Sequence, residues 1–294
     1  MCQSCAYSGY YRKEEYMAQP SQTTRRTAIK VGLASIASAA ILTSEGHSAL
    51  PEEIPPKKPG ETKAVFLGGD VLHNFMAQEP ALRRICERMG MKFYAIHDSR
   101  YLTPAFISDA DILMIERWDG SQPGWIPGPV YGEAPPSDDF LTEELADAII
   151  DNVVNRGMGF LSIHCMISCA FTRQKIQDFL GVNGIIHGPV QPVLVHNFNP
   201  AHPITKGMEP FTLGLDENFG AEIVRKDVTP LFETTGSWDK RTDYGGWCLD
   251  QGRGRVAGLT AGHTYFAYRD PNYLILFSRS IQWALKREVQ DQAD

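Results

Sequence analysis

Four stretches in the first half of the chain have continuous apolar centres instead of alternating: 62–69 (TKAVFLGG), 91–98 (MKFYAIHD), 110–118 (ADILMIERW) and 158–165 (MGFLSIHC). A strand with one wet face alternates, whereas a strand covered on both faces does not. The segments between them follow helical spacing. Residues 78–90 place Leu82, Ile85, Cys86 and Met89 on one stripe and stop at Gly90, and residues 138–157 and 170–181 also close on glycine. Apolar strands alternating with amphipathic helices predict an α/β fold, a mostly parallel sheet with helices on both faces.

From residue 190 onward the pattern is richer in strands: 189–198, 222–227, 230–234, 245–250 and 254–262. A terminal helix is expected over 271–288, leaving 289–294 as a C-terminal tail. No internal repeat is visible. Residues 50–61 (LPEEIPPKKPGE) read as a linker rich in proline and charge, so one domain is expected over 62–288. The connection 118–139 is long and rich in proline and glycine. Following the third strand, it should hang over the carboxyl edge of the sheet, where open α/β folds bind ligands. Its Trp118, Trp125 and Tyr131 either stack on sugar rings or pin the loop to the body; both readings stay open.

The first 49 residues read differently. Thr24-Arg25-Arg26, with Lys30 four positions on, precedes a mildly apolar run rich in alanine and serine that ends near Leu42. That run is shorter than the roughly 20 apolar residues of a bilayer span. It fits the hydrophobic region of a twin-arginine export signal, which places the mature chain in the periplasm or outside the cell with no membrane span left after cleavage. The chain carries a formal charge of −7 and keeps no basic stripe beyond residue 49, which argues against a nucleic-acid partner. Cys86, Cys165, Cys169 and Cys248 lie beyond the signal; free buried thiols are expected, although Cys165 and Cys169 are close enough in sequence to pair given suitable geometry.

Polar groups gather where the apolar stretches stop. Asp70, His73 and Asn74 follow the first strand and His164 the fourth. His187, the pair Asp216 and Glu217, and His263 with Thr264 come from later turns. Ends of parallel strands meet along one edge, so these distant positions can form one site.

Taken together, the segments 202–219 (HPITKGMEPFTLGLDENF), 252–264 (GRGRVAGLTAGHT) and 270–285 (DPNYLILFSRSIQWAL) resemble the trehalose-utilization, or ThuA-like, family. GFLSIHC and GGDVLHNF are similar to its other signature segments, and the resemblance runs from about Lys63 to Leu285. It implies the flavodoxin-like sheet of the class I glutamine amidotransferases and a link to carbohydrate metabolism, without an agreed reaction. Amidotransferases of that fold carry a nucleophilic cysteine on the sharp turn after this strand, flanked by small residues, and a later His-x-Glu. Here His164 falls at the turn, Cys165 is flanked by Ile163 and Ile167, and Tyr265 stands where the glutamate should be. His164 is therefore expected in the pocket and Cys165, pointing to the opposite side of an extended chain, in packing.

Such a pocket has two uses. One is proton transfer at a carbon of a sugar or keto-sugar, catalysed by His164, His263 and Glu217. His73, Asn74, Trp118, Trp125, His187, Asp216 and Thr264 would then bind the substrate. The other is a divalent metal held by imidazole and carboxylate groups, for which the spacing shows no compact pair of histidines. An enzyme of the isomerase, lyase or hydrolase type leads. A non-catalytic carbohydrate-binding protein and a thiol hydrolase using Cys165 are the rivals, and homo-oligomerisation stays open.

Overall fold

The computed structural model describes residues 56–70, 72–118, 140–170, 173–185 and 187–291. Among the described residues eleven strands form one sheet: β1 (Thr62–Gly68), β2 (Met91–Ile96), β3 (Ile112–Glu116), β4 (Gly159–Ile163), β5 (Val182–Ile185), β6 (Val190–His196), β7 (Phe211–Glu217), β8 (Gly220–Ile223), β9 (Thr229–Gly236), β10 (Thr242–Gln251) and β11 (Gly254–Leu259). The main path runs β2-β1-β3-β4-β11-β10-β9-β6-β7, with β8 joined to β10 and β5. β2, β1, β3, β4 and β11 are mutually parallel, and every later pairing is antiparallel.

The continuous apolar runs are explained by two cores. On β1, Val65 and Leu67 face a cluster with Phe106, Leu145, Ile149 and Phe179, while Ala64 and Phe66 face one with Leu82, Cys86, Phe277 and Ile281. The first face is covered by α2 (Pro104–Ile107), α3 (Glu143–Asp151) and α4 (Gln174–Leu180), the second by α1 (Phe75–Arg88) and α5 (Pro271–Ala284). The fold is the expected α/β class, with helices on both faces and extra strands in its second half.

Three local expectations are corrected. The helix foreseen over 138–157 is shorter: Thr142 caps it by accepting from Leu145 N–H, and after Asp151 the chain widens into one wider turn closed by Gly157 at φ +99°. The strand foreseen at 222–227 lies at 220–223. Its partner β5 begins at Val182, and the next two amides donate to Gly181 C=O before the chain turns. Asp216 and Glu217, expected to begin a turn, are the last residues of β7 and pair with Gln191 and Val190 of β6.

Candidate functional site

At the carboxyl end of β1, Gly69 takes φ +73°, and a Cβ there would stand 2.6 Å from the Cβ of Phe75 and 2.7 Å from His97. Only glycine lets the chain turn so tightly against α1. Asp70 follows. One carboxylate oxygen accepts from the amides of Leu72 (2.7 Å) and His73 (3.0 Å), the other from the amide of Trp118 (2.8 Å), and both lie 2.8 Å from His73 Nδ1. Burial pushes the Asp70 carboxyl up, but His73 and these amides outweigh it and leave it below the ordinary carboxylate range. Burial pushes His73 down, so its imidazole is held neutral with Nδ1–H directed at Asp70.

β4 ends at Ile163, and His164 takes the left-handed conformation at φ +44°. Such backbone costs about 1–2 kcal/mol for a residue with a side chain and occurs where tertiary structure over-determines it. The turn aims the imidazole inward, fully buried, with Nδ1 donating to Thr260 C=O at 2.8 Å. Its Nε2 has no hydrogen-bond partner and faces Glu217 Oε2 at 3.5 Å. Burial opposes its protonation, but Glu217 and Asp216 prevail and raise its pKa.

The same turn corrects the expectation for Cys165. Because the chain does not continue extended, Cys165 is not carried to the far side; it is buried, with its Sγ 3.6 Å from His73 Nδ1 beside the site. Burial and the neighbouring Asp70 carboxylate push its thiol well above the ordinary range, the reverse of an activated nucleophile. All four cysteines among the described residues are free and buried.

The antiparallel half supplies the carboxylates. The end of β7 meets the loop after β11: Asp216, fully buried, accepts through one oxygen from the amides of Glu217 (2.8 Å), His263 (3.0 Å) and Gly262 (3.3 Å). Burial pushes its carboxyl up to about 6 despite these bonds. Glu217 turns into the cluster, with Oε2 3.4 Å from His263 Nδ1 and Oε1 3.3 Å from His187 Nδ1. Burial works against its charge, yet His164, His187 and His263 keep it below the ordinary range. His263 is pushed down to about 4, by burial first and by the neighbouring imidazoles.

The ring centres of His73, His164 and His263 lie 5.0, 5.0 and 5.4 Å apart. Two imidazolium charges 5 Å apart repel by about 3 kcal/mol at an effective dielectric of 20. Three such charges together are therefore strongly disfavoured, although Glu217 faces His164 and His263 and Asp70 faces His73. Accessibility grades across the group: the side chain of His164 is 0 % exposed, Glu217 10 %, His263 21 % and His187 43 %.

The structure thus brings together His73, His164, His187, Asp216, Glu217 and His263. Asn74 is exposed and caps α1 by accepting from Met76 N–H, and Thr264 donates to Leu215 C=O. Trp118 is half-buried beside Asp70 through its amide, whereas Trp125 and Tyr131 lie outside the described residues. Tyr265 is exposed and stacks on Phe266. Sequence reasoning passed over Glu116 and Arg117. Glu116, fully buried at the end of β3, is pushed well above the ordinary range by burial and by Asp216 and Asp70, so it is neutral there. Arg117 donates to the carbonyls of Gly69 and His97. The signal was present, since two charges interrupt an apolar strand at the edge that carries Asp70 and His164.

A family model described as ThuA, trehalose utilisation, matches residues 64–284. The chain belongs to the ThuA family. Solved structures share its fold. A ThuA-like protein from Parabacteroides merdae superposes with a TM-score of 0.59 at 15% identity, over 79% of this chain and 93% of that one. Another from Bacteroides uniformis gives 0.57 at 15%, over 80% and 95%. A cytoplasmic protein from Salmonella typhimurium gives 0.53 at 12%, over 76% and 99%. No curated protein matches this ThuA-family chain. Among its described residues no helix is long and apolar enough to cross a membrane.

Proposed function

We propose that this ThuA-family protein is an exported enzyme of carbohydrate metabolism that moves a proton at a carbon of a sugar or keto-sugar. The observation that supports it most is Glu217, a carboxylate held ionised within 3.3–3.5 Å of three imidazoles at the ligand-binding edge of the sheet. Glu217 accepts the proton from a carbon next to the carbonyl and returns it to the neighbouring carbon or oxygen. No co-reactant is needed for that exchange. His187, the most open of the imidazoles, meets the substrate's oxygens. His164 has no open face, so it acts through Glu217 as a positioning residue.

The test is turnover of a panel of sugars and keto-sugars by the wild type, Glu217→Gln, His164→Ala and Cys165→Ala. Loss of a general acid or base costs about a hundred- to ten-thousand-fold in rate. Glu217→Gln should show that loss. His164→Ala should lower kcat and shift the acid limb of the pH profile while circular dichroism stays native, and Cys165→Ala should stay near normal. A binding module would show no turnover in any variant, with sugar affinity weakened by Trp118→Ala. A thiol hydrolase would leave Glu217→Gln active and Cys165→Ala dead.

A further inference from the structure

We infer that His73, His164 and His263 form a binding site for one divalent transition-metal ion, with Glu217 beside its open position. The inference concerns the site of the proposed chemistry but rests on geometry, so it stands whether or not a sugar is turned over.

One ring nitrogen from each of the three histidines lies within 4.8 Å of the other two. Three atoms so placed have a common centre no more than about 2.8 Å from any of them, while zinc–imidazole bonds are about 2.0–2.1 Å. An inward movement of about 0.7 Å or less per ring closes the site. His164 Nε2 and Glu217 Oε2 stand 3.5 Å apart, near the ligand-to-ligand spacing of about 3.3 Å that tetrahedral bonds of that length give.

The second observation is how the rings are held. A metal-binding histidine almost always directs its other ring nitrogen at a carboxylate or a backbone carbonyl, which fixes the tautomer. Here His73 Nδ1 meets Asp70 at 2.8 Å and His164 Nδ1 meets Thr260 C=O at 2.8 Å, whereas His263 Nδ1, 3.4 Å from Glu217 Oε2, makes no hydrogen bond. In their neutral forms His73 and His164 are thereby left with the lone pair on Nε2. The fully buried His164 Nε2 has no hydrogen-bond partner, an expensive arrangement unless something accepts that lone pair. Neutral imidazoles with nearby carboxylates suit zinc, cobalt, nickel or copper better than magnesium or calcium, which take oxygen ligands. Such an ion polarises a carbonyl oxygen bound at its open position.

A competing set is available from Asp70, His73 and Cys165. It uses the nitrogen of His73 already engaged by Asp70, and it needs a thiolate from a cysteine surrounded by carboxylates.

The experiment strips the purified protein with chelator, titrates it with zinc or cobalt(II), and reads stoichiometry by elemental analysis and coordination by the cobalt visible spectrum. The wild type should take up one equivalent and show the intense visible band of low-coordinate cobalt. His263→Ala, at the most open ligand and the variant least prone to misfold, should weaken binding at least a hundredfold. Asp70→Asn should weaken it by about 10–100-fold and alter the cobalt spectrum, and Cys165→Ala should leave both unchanged. Substoichiometric uptake by the wild type, full affinity in His263→Ala, or loss of binding in Cys165→Ala each overturns the assignment. Inactivity towards sugars with metal bound would sink only the proposed reaction.

Discussion

Asp216 offers a sharp test of how the two halves of the sheet are joined. Its carboxylate holds the last residue of β7 and the loop carrying His263 through amides at 2.8 and 3.0 Å, with Gly262 at 3.3 Å. Gly262 sits at φ +137°, a conformation open to glycine and rarely adopted by a residue with a side chain. Comparing Asp216→Ala with Asp216→Asn cancels the loss of charge, because neither variant ionises. Asparagine can still present an oxygen to the amides, whereas alanine leaves them bare in a dry interior. A buried donor without an acceptor costs about 1–3 kcal/mol. Counting only the two shorter bonds, alanine should be less stable than asparagine by about 2–6 kcal/mol. Urea unfolding at pH 7 followed by circular dichroism measures that gap. The alanine variant should also lose more turnover, since His263 is no longer anchored. Midpoints that coincide for the two variants would refute the role assigned to Asp216.

Further outcomes follow from the same site. The folded-state pKa of Asp216, about 6, lies above its ordinary 3.8, so the folded protein binds that proton more tightly than the unfolded chain. The resulting stabilisation is present below about pH 4 and is lost as the pH rises through about 6, a change of about 3 kcal/mol. The stability of Asp216→Asn relative to the wild type should therefore rise by that amount between pH 4 and 7, measured by urea unfolding in chelator; a constant difference would contradict the burial of the charge. Cys165 should resist iodoacetamide in the native protein at pH 8 and react only on unfolding, read by mass spectrometry. Replacing Arg25 and Arg26 by lysine should keep the chain in the cytoplasm, checked by cell fractionation, since lysine keeps the charge but not the twin-arginine signal; unchanged export would defeat the proposed localisation.

The sequence by itself determined the parallel half of the fold and the edge at which its polar residues collect. Those properties are local: unbroken apolar runs report burial on both faces, helical spacing reports the covering helices, and terminal glycines mark the turns. His164 was legible as the turn residue because bulky isoleucines flank Cys165. What needed the tertiary structure is the company each group keeps. The left-handed turn at His164 places Cys165 against His73, where an extended chain would have carried it away. Glu217 arrives from β7, the far end of the strand order, because the antiparallel strands bring that end back over the carboxyl edge, where Asp216 ties it to the loop after β11. Glu116 ends an apolar strand, and only its complete burial near Asp70 and Asp216 makes it a neutral acid. Pairing across such separations is decided by how the sheet closes on its cores, and periodicity within ten residues carries no record of it.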